Sequence, residues 1–350
     1  VVQGKNYNIA FMVDSSGSMS TDSLNAAKAS LTSVFNSLKD SLGANTSGTV
    51  NIFLADFDTQ VNKSVAINLN DSNALNQLKA VLDSMASEGG TNYEDVFKTT
   101  ANFFKSDLAT QNTGATNLTY FITDGKPTYY QSGEQTNPTL YANVKFDSIV
   151  TATNYTPGTA FGSQIDNTHY FSISTTGAAQ LQTWNGLWWV ASNLGTVRAQ
   201  GDGTYELSNR DGLGYDTDTA TVTNSKNAFA LLGGLSQVEA IGINGAVSLE
   251  DLKPYDSDNK PQTNIDPKDL ANAILGHTEA TLPGADTING GDGNDILFGD
   301  LVSFSGINGE GYNALQAFVA QKTGVAVSAV TASNVHQYVT EHYVDFDVSG

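Results

Sequence analysis

Four short apolar runs constrain this chain most: NIAFMV at 8–13, VNIFLADF at 50–57, LTYFIT at 118–123 and VEAIGI at 238–243. Runs this continuous read as strands covered on both faces, which is the condition of a parallel sheet. Val65–Leu69 is shorter and reads as an edge strand. Helical spacing fills the intervals. Thr21–Leu42 carries Leu24, Ala27, Leu31, Val34, Phe35 and Leu38 on one face, and Leu75–Met85, Tyr93–Phe104 and Ala228–Gln237 follow. Asp266–Leu275 opens with an Asp-Pro pair suited to an N-cap and a first-turn proline. Strands alternating with helices predict an α/β fold built on a doubly wound, mostly parallel sheet. Ligands of such sheets bind beyond the carboxyl ends of the strands.

Three textures divide the 350 residues. Residues 1–280 carry the alternating pattern, interrupted at 128–225 by a segment rich in turns and aromatics. That interruption holds Trp184, Trp188 and Trp189, the only tryptophans. Asn185-Gly186 between LQTW and LWWV, and Gly201-Asp202-Gly203 between VRAQ and TYEL, are hairpin signals, so a β-rich insertion is expected. The tryptophans are expected to form its core, since small β units need aromatic packing, with a contact surface as the alternative. Residues 281–305 hold a glycine–aspartate repeat. Residues 306–350 form a helical segment, with helices over Tyr312–Tyr343 and the second near Ala332–Tyr343.

Charge narrows the partners. Asp and Glu number 36 against 16 Lys and Arg, a formal net charge of -20. Such a chain is repelled by phosphate backbones and anionic lipid, so nucleic acid and membrane surfaces are disfavoured, and cations are its natural counterions. No stretch approaches the ~20 apolar residues of a membrane helix, so no membrane insertion is expected. Cysteine is absent, which excludes disulfides, zinc–thiolate sites and cysteine nucleophiles.

Oxygen donors gather at the strand ends. Asp14-Ser15-Ser16-Gly17-Ser18 follows the first apolar run, and its alternate side chains aim three oxygens at one point. Gly89-Gly90-Thr91 precedes a helix and offers a hydroxyl. Asp124-Gly125 follows the third run and brings a second carboxylate. These hard donors suit Mg²⁺, Ca²⁺ or Mn²⁺ over zinc or copper. The three pieces, DSSGS, GGT and TDG, resemble the metal-ion-dependent adhesion site of von Willebrand factor A domains, over about residues 7–275 apart from the insertion. The resemblance implies Asp14, Ser16 and Ser18 as ligands, and Thr91 and Asp124 directly or through water. Two carboxylates and three hydroxyls only formally neutralise a divalent ion, which leaves a position for an acidic group of a partner. Asp56 and Asp58, at the end of the second strand, are expected to be solvated turn carboxylates, with a place in an outer shell around the ion as the alternative.

Residues 290–298 (GGDGNDILF) fit the nonapeptide of calcium-binding β-rolls, with Asp286 in register before them and Asp300 opening an uncompleted turn. Asp286, Gly290, Asp292, Asn294, Asp295 and Asp300 are the candidate Ca²⁺ residues, in the weak extracellular range of about 10⁻⁴–10⁻³ M. The segment resembles the RTX repeats of giant bacterial biofilm adhesins. That likeness implies type I secretion, a place at the bacterial cell surface, and a monomeric module of a much longer chain.

No catalytic signature appears. The histidines (His169, His277, His336, His342) are dispersed, with surface or helix-end roles expected, and no GxSxG, phosphate loop or zinc motif is present. The expectation is a non-enzymatic, cation-dependent adhesion module that takes an extracellular protein or glycan through an acidic group. The alternatives are a structural spacer whose ions only stabilise the fold, and an enzyme using the ion as a Lewis acid, which lacks a base beside the motif.

Overall fold

The computed structural model describes residues 4–42, 48–276, 304, 306–307 and 311–342, and residues up to Gly276 form one compact unit. Its elements begin β1 Tyr7–Asp14, α1 Thr21–Ser41, β2 Val50–Phe57, β3 Val61–Asn68, α2 Ala74–Ser84, α3 Tyr93–Lys105, α4 Asp107–Thr110 and β4 Thr116–Thr123. The insertion supplies β5 Tyr130–Thr136, β6 Thr139–Tyr141, β7 Val144–Lys145, β8 Phe161–Asp166, β9 His169–Ile173, β10 Ala178–Trp184, β11 Trp189–Ala199 and β12 Tyr205–Asp211. Then come α5 Thr219–Gly233, β13 Gln237–Ile243, α6 Leu249–Leu252, β14 Gln262–Ile265 and α7 Leu270–Leu275.

The main sheet runs β14-β13-β4-β1-β2-β3. Every pairing is parallel except β2 with the edge strand β3. β1 and β2 are buried along their whole length, as their apolar runs require. One face packs Phe11, Ile9 and Ile52 under the Leu24–Leu38 stripe of α1. The other carries an aromatic cluster under α3 and α5, in which Tyr93 meets Phe121 edge-on at 4.7 Å and Tyr255 at 5.1 Å. Buried asparagines cross the amino-terminal end of the sheet: Asn8 Nδ2 donates to Asn117 Oδ1 at 2.9 Å and Asn51 Nδ2 to Asn8 Oδ1 at 3.0 Å. Each amide hydrogen that finds an oxygen offsets part of the cost of burial.

Two helix expectations shift. The helix expected at Ala228–Gln237 occupies Thr219–Gly233, capped by Asp218, which accepts from Thr221 N at 2.7 Å. Threonines 219, 221 and 223 mask its first turns, because β-branched residues are weak helix formers. The segment expected as one helix from Asp266 opens as a 3₁₀ turn at Pro267–Asp269 before α7.

The insertion is a six-stranded antiparallel sheet, β5-β12-β11-β10-β9-β8, over its own core of Phe146, Phe171, Tyr155 and Tyr205. The tryptophans are not in that core, contrary to expectation: Trp184, Trp188 and Trp189 are exposed at the tip of the β10–β11 hairpin. Smaller aromatics fill the interior instead. His169 is likewise buried, with Nδ1 3.0 Å from Asp166 Oδ1 and its ring stacked on Tyr141.

Polar bonds lock the insertion onto α3. Arg198, on β11, is buried and reaches Asp95 Oδ2 at 3.3 Å and Gln60 Oε1 at 2.9 Å. Asp95 Oδ2 also accepts from Val61 N. Glu94 accepts from Gln131 N at 2.8 Å and pairs with Lys98 at 2.6 Å. Asn102 accepts from Gly201 N and Gly203 N and donates to Thr204 O. Where the insertion leaves and rejoins the main unit, Thr217 Oγ1 donates to Pro127 O at 2.7 Å and Gly214 N to Thr128 O at 3.1 Å.

Residues 311–342 form two helices, α8 Gly311–Thr323 and α9 Ala332–Glu341, sharing Leu315, Val319, Val335 and Val339. His336 and His342 are exposed there. The candidate calcium residues Asp286, Gly290, Asp292, Asn294, Asp295 and Asp300, like His277, lie outside the described residues.

Candidate functional site

Three loops meet at the carboxyl ends of β1 and β4, and backbone hydrogen bonds hold them there. Gly17 N donates to Gly89 O at 3.1 Å and Glu88 N to Ser15 O at 3.1 Å, joining the first loop to the second. Thr128 N donates to Thr91 O at 2.7 Å, joining the second to the third. Gly89 is sterically required. Gly89 has φ +72°, and a Cβ there would lie 2.5 Å from Thr59 Oγ1. A Cβ on Gly125 would stand 3.5 Å from Ser18 Oγ and 3.7 Å from Thr91 Oγ1, so both hydroxyls border the Asp124 turn.

The side chains form a chain of oxygens. Asp14 Oδ1 accepts from Ser16 N at 2.8 Å, Ser16 Oγ and Ser18 Oγ are 3.0 Å apart, and Ser18 Oγ donates to Asp124 Oδ1 at 2.8 Å. Asp14, Ser16, Ser18, Thr91 and Asp124 therefore come to one place. Asp14 is wholly buried, and Asp124 and Thr91 nearly so. Burial first, then the charge of Asp124, push the Asp14 carboxyl up to about 7, against the hydrogen bonds from Ser16 and Thr123. Burial likewise raises Asp124.

Two neighbours went unforeseen. Thr123 Oγ1 donates to Asp14 Oδ2 at 2.5 Å, and the Tyr93 hydroxyl bonds Gly125 O, so the aromatic cluster supports the turn from below. Asp56 and Asp58 are buried, correcting the expectation of solvated carboxylates. Asp56 Oδ1 accepts from Ser15 Oγ at 2.5 Å, and burial raises its carboxyl to about 7. The only available signal was their place at the end of an apolar run.

The donor set suits a hard cation. Two close carboxylates are surrounded by hydroxyls, and no ion pair joins Asp14 or Asp124 to a basic side chain among the described residues. No three His, Asp or Glu side chains cluster there as a metal-holding group, so an ion would rely on two carboxylates and neutral oxygens. A cleft of about 390 Å³ opens above them, lined by Ser16, Ser18, Thr91 and Lys126 and by Tyr215 and Asp216 of the insertion. Tyr215 is 86% exposed, so its ring stands clear of the protein.

The sequence profile of the von Willebrand factor type A domain matches residues 8–183, half of the chain. The chain belongs to that family. Solved structures similar to this von Willebrand A domain include the pilus adhesin SpaC from Lactobacillus rhamnosus GG, at 14% identity and TM-score 0.43, covering 77% of this chain and 29% of that one. They also include the vWF domain of the type V pili tip protein Mfa5 from Porphyromonas gingivalis, at 16% identity and TM-score 0.40, covering 79% and 94%. The adhesive tip pilin GBS104 from Group B Streptococcus agalactiae is similar at 14% identity and TM-score 0.41, covering 77% and 98%. The von Willebrand A chain thus spans less than a third of SpaC. None of the curated proteins matches it.

Proposed function

We propose that this von Willebrand A domain is a cation-dependent adhesion module of a secreted bacterial surface protein, and not an enzyme. Asp14, Ser16, Ser18, Thr91 and Asp124 hold a divalent cation, Mg²⁺ or Ca²⁺, and an acidic group of an extracellular protein or glycan completes its coordination. The observation that carries this reading is the meeting of two buried carboxylates and three hydroxyls beneath a cleft. Lys126 lines the same cleft, 3.0 Å from Asp251, and favours an approaching anion. The Gly/Asp repeat that includes Asp286 and Asp295 holds Ca²⁺ on its own account, as in RTX adhesins. Titration calorimetry with Mg²⁺ and with Ca²⁺ tests the site: Asp14→Ala and Asp124→Ala each abolish one binding event and keep the far-UV spectrum. Unchanged stoichiometry in both variants refutes it.

One observation favours the spacer reading. Asp216 of the insertion lines the cleft, so the domain carries a carboxylate of its own beside the ion's open position. In that case the ion would serve stability alone.

A further inference from the structure

The β10–β11 hairpin projects past the insertion's sheet. β12 pairs with β11 only over Thr196–Ala199, so Trp189–Asn193 have β10 as their sole neighbour. Every residue from Asn185 to Asn193 is exposed, which makes the tip convex on all sides. Leu187 is 74% exposed and Trp188 60%, flanked by Trp184, Trp189 and Val190. Trp184 and Trp189 are paired across the strands, their rings 5.7 Å apart. Contiguous exposed apolar side chains of this size mark an interaction site.

Charge and backbone indicate the occupant. From Asn167 to Val197 there is no Asp, Glu, Lys or Arg, in a chain of net charge -20. The turn also holds three of its own donors: Leu187 N and Trp188 N donate to Asn185 Oδ1 at 3.0 and 3.1 Å, and Asn185 N to Trp188 O at 3.2 Å. These bonds reduce the turn donors that must leave water, and the open edge of Trp189–Asn193 still needs water for its backbone groups, which suits a hydrated interfacial layer rather than a hydrocarbon core. Tryptophan adds an apolar body with one N–H, the combination favoured where hydrocarbon meets headgroups. Sugar recognition would need free polar groups beside an open ring platform, whereas Asn185 and Asn193 are engaged within the hairpin and aliphatic Leu187 caps the apex. A second copy is also a poor occupant, because five partly exposed side chains fall short of the ~800 Å² each partner contributes to a stable interface.

We infer that the Trp184–Val190 tip inserts into the interfacial layer of an electrically neutral lipid bilayer. The net charge that disfavours anionic membranes leaves a zwitterionic one open to a charge-free tip. This inference is independent of the cation site, so Asp14→Ala keeps lipid binding.

All three tryptophans sit on this hairpin, so tryptophan emission, excited selectively over the 14 tyrosines, reports the tip alone. With phosphatidylcholine vesicles the emission shifts to the blue and is quenched by lipids brominated on the acyl chains. Leu187→Ser keeps every reporter and an exposed site, and weakens partitioning by about tenfold, the loss expected for one buried aliphatic side chain. Added phosphatidylglycerol weakens binding at low salt. The inference is overturned by emission that stays unchanged at millimolar lipid, or by equal partitioning of Leu187→Ser and the unaltered chain. A blue shift that appears without lipid and tracks dimerisation in sedimentation, or one produced only by soluble polysaccharide, also overturns it.

Discussion

The Thr123 hydroxyl donates to Asp14 Oδ2 at 2.5 Å while Ser16 N holds Oδ1 at 2.8 Å, so both oxygens of the buried carboxylate are oriented from opposite sides. Thr123→Val keeps the shape and removes one of these bonds. A hydrogen bond to a charged group contributes ~1.5–3 kcal/mol. Mg²⁺ affinity should therefore fall by roughly ten- to a hundredfold. Calorimetry checks this, with circular dichroism confirming that the fold persists.

Arg198 and Asp95 form the buried pair between insertion and α3. Arg198→Ala strands the Asp95 carboxylate and should cost about 3–5 kcal/mol in urea denaturation. Adding Asp95→Asn should recover part of that loss, since no uncompensated charge then remains. A double variant as unstable as the sum of the two single ones would show that the groups act separately.

Glu206 gives a pH signature. It is buried on β12, its Oε1 lacks a hydrogen-bond partner, and burial raises its carboxyl to about 7 despite nearby Lys98. The folded state then binds more protons than the unfolded one between the ordinary carboxylate range and pH 7. The stabilisation from the protonated form is complete below that range and disappears as pH rises through about 7. Glu206→Gln should flatten the decline in Tm between pH 5 and 7.5 and raise Tm at neutral pH. Parallel melting curves for the two proteins would contradict this.

Asp216 separates the adhesive reading from the spacer. If its carboxylate completes the ion's coordination, Asp216→Asn weakens Mg²⁺ binding by about tenfold or more, as loss of a charged ligand should. If the position stays open to a partner, affinity hardly changes. We expect the second outcome, because neighbouring Tyr215 stands away from the protein surface.

Much of this was legible in the residues. The unbroken runs around Phe11 and Leu54 gave away the covered strands, because a strand buried on both faces leaves no room for alternation, whereas the run around Phe121 is covered only toward its carboxyl end. The meeting of Asp14, Thr91 and Asp124 was legible because each sits where a strand ends or a helix begins. Thr123 stood in the TDG motif, but its bond to Asp14 was hidden because a hydroxyl within a strand reads as packing. Arg198 was hidden because its partner Asp95 is 103 residues away. The tryptophans misled for a different reason. Burial is a collective outcome, and once Phe146, Phe171 and Tyr155 fill a small core there is no volume left for larger rings.

The bond between Thr217 and Pro127 brings the two ends of the insertion side by side. A segment whose ends already touch can be lengthened, shortened or exchanged without disturbing the strand order beneath it. Arg198 sets the condition on such an exchange: any replacement must bring its own cation to Asp95, or Asp95 must change with it.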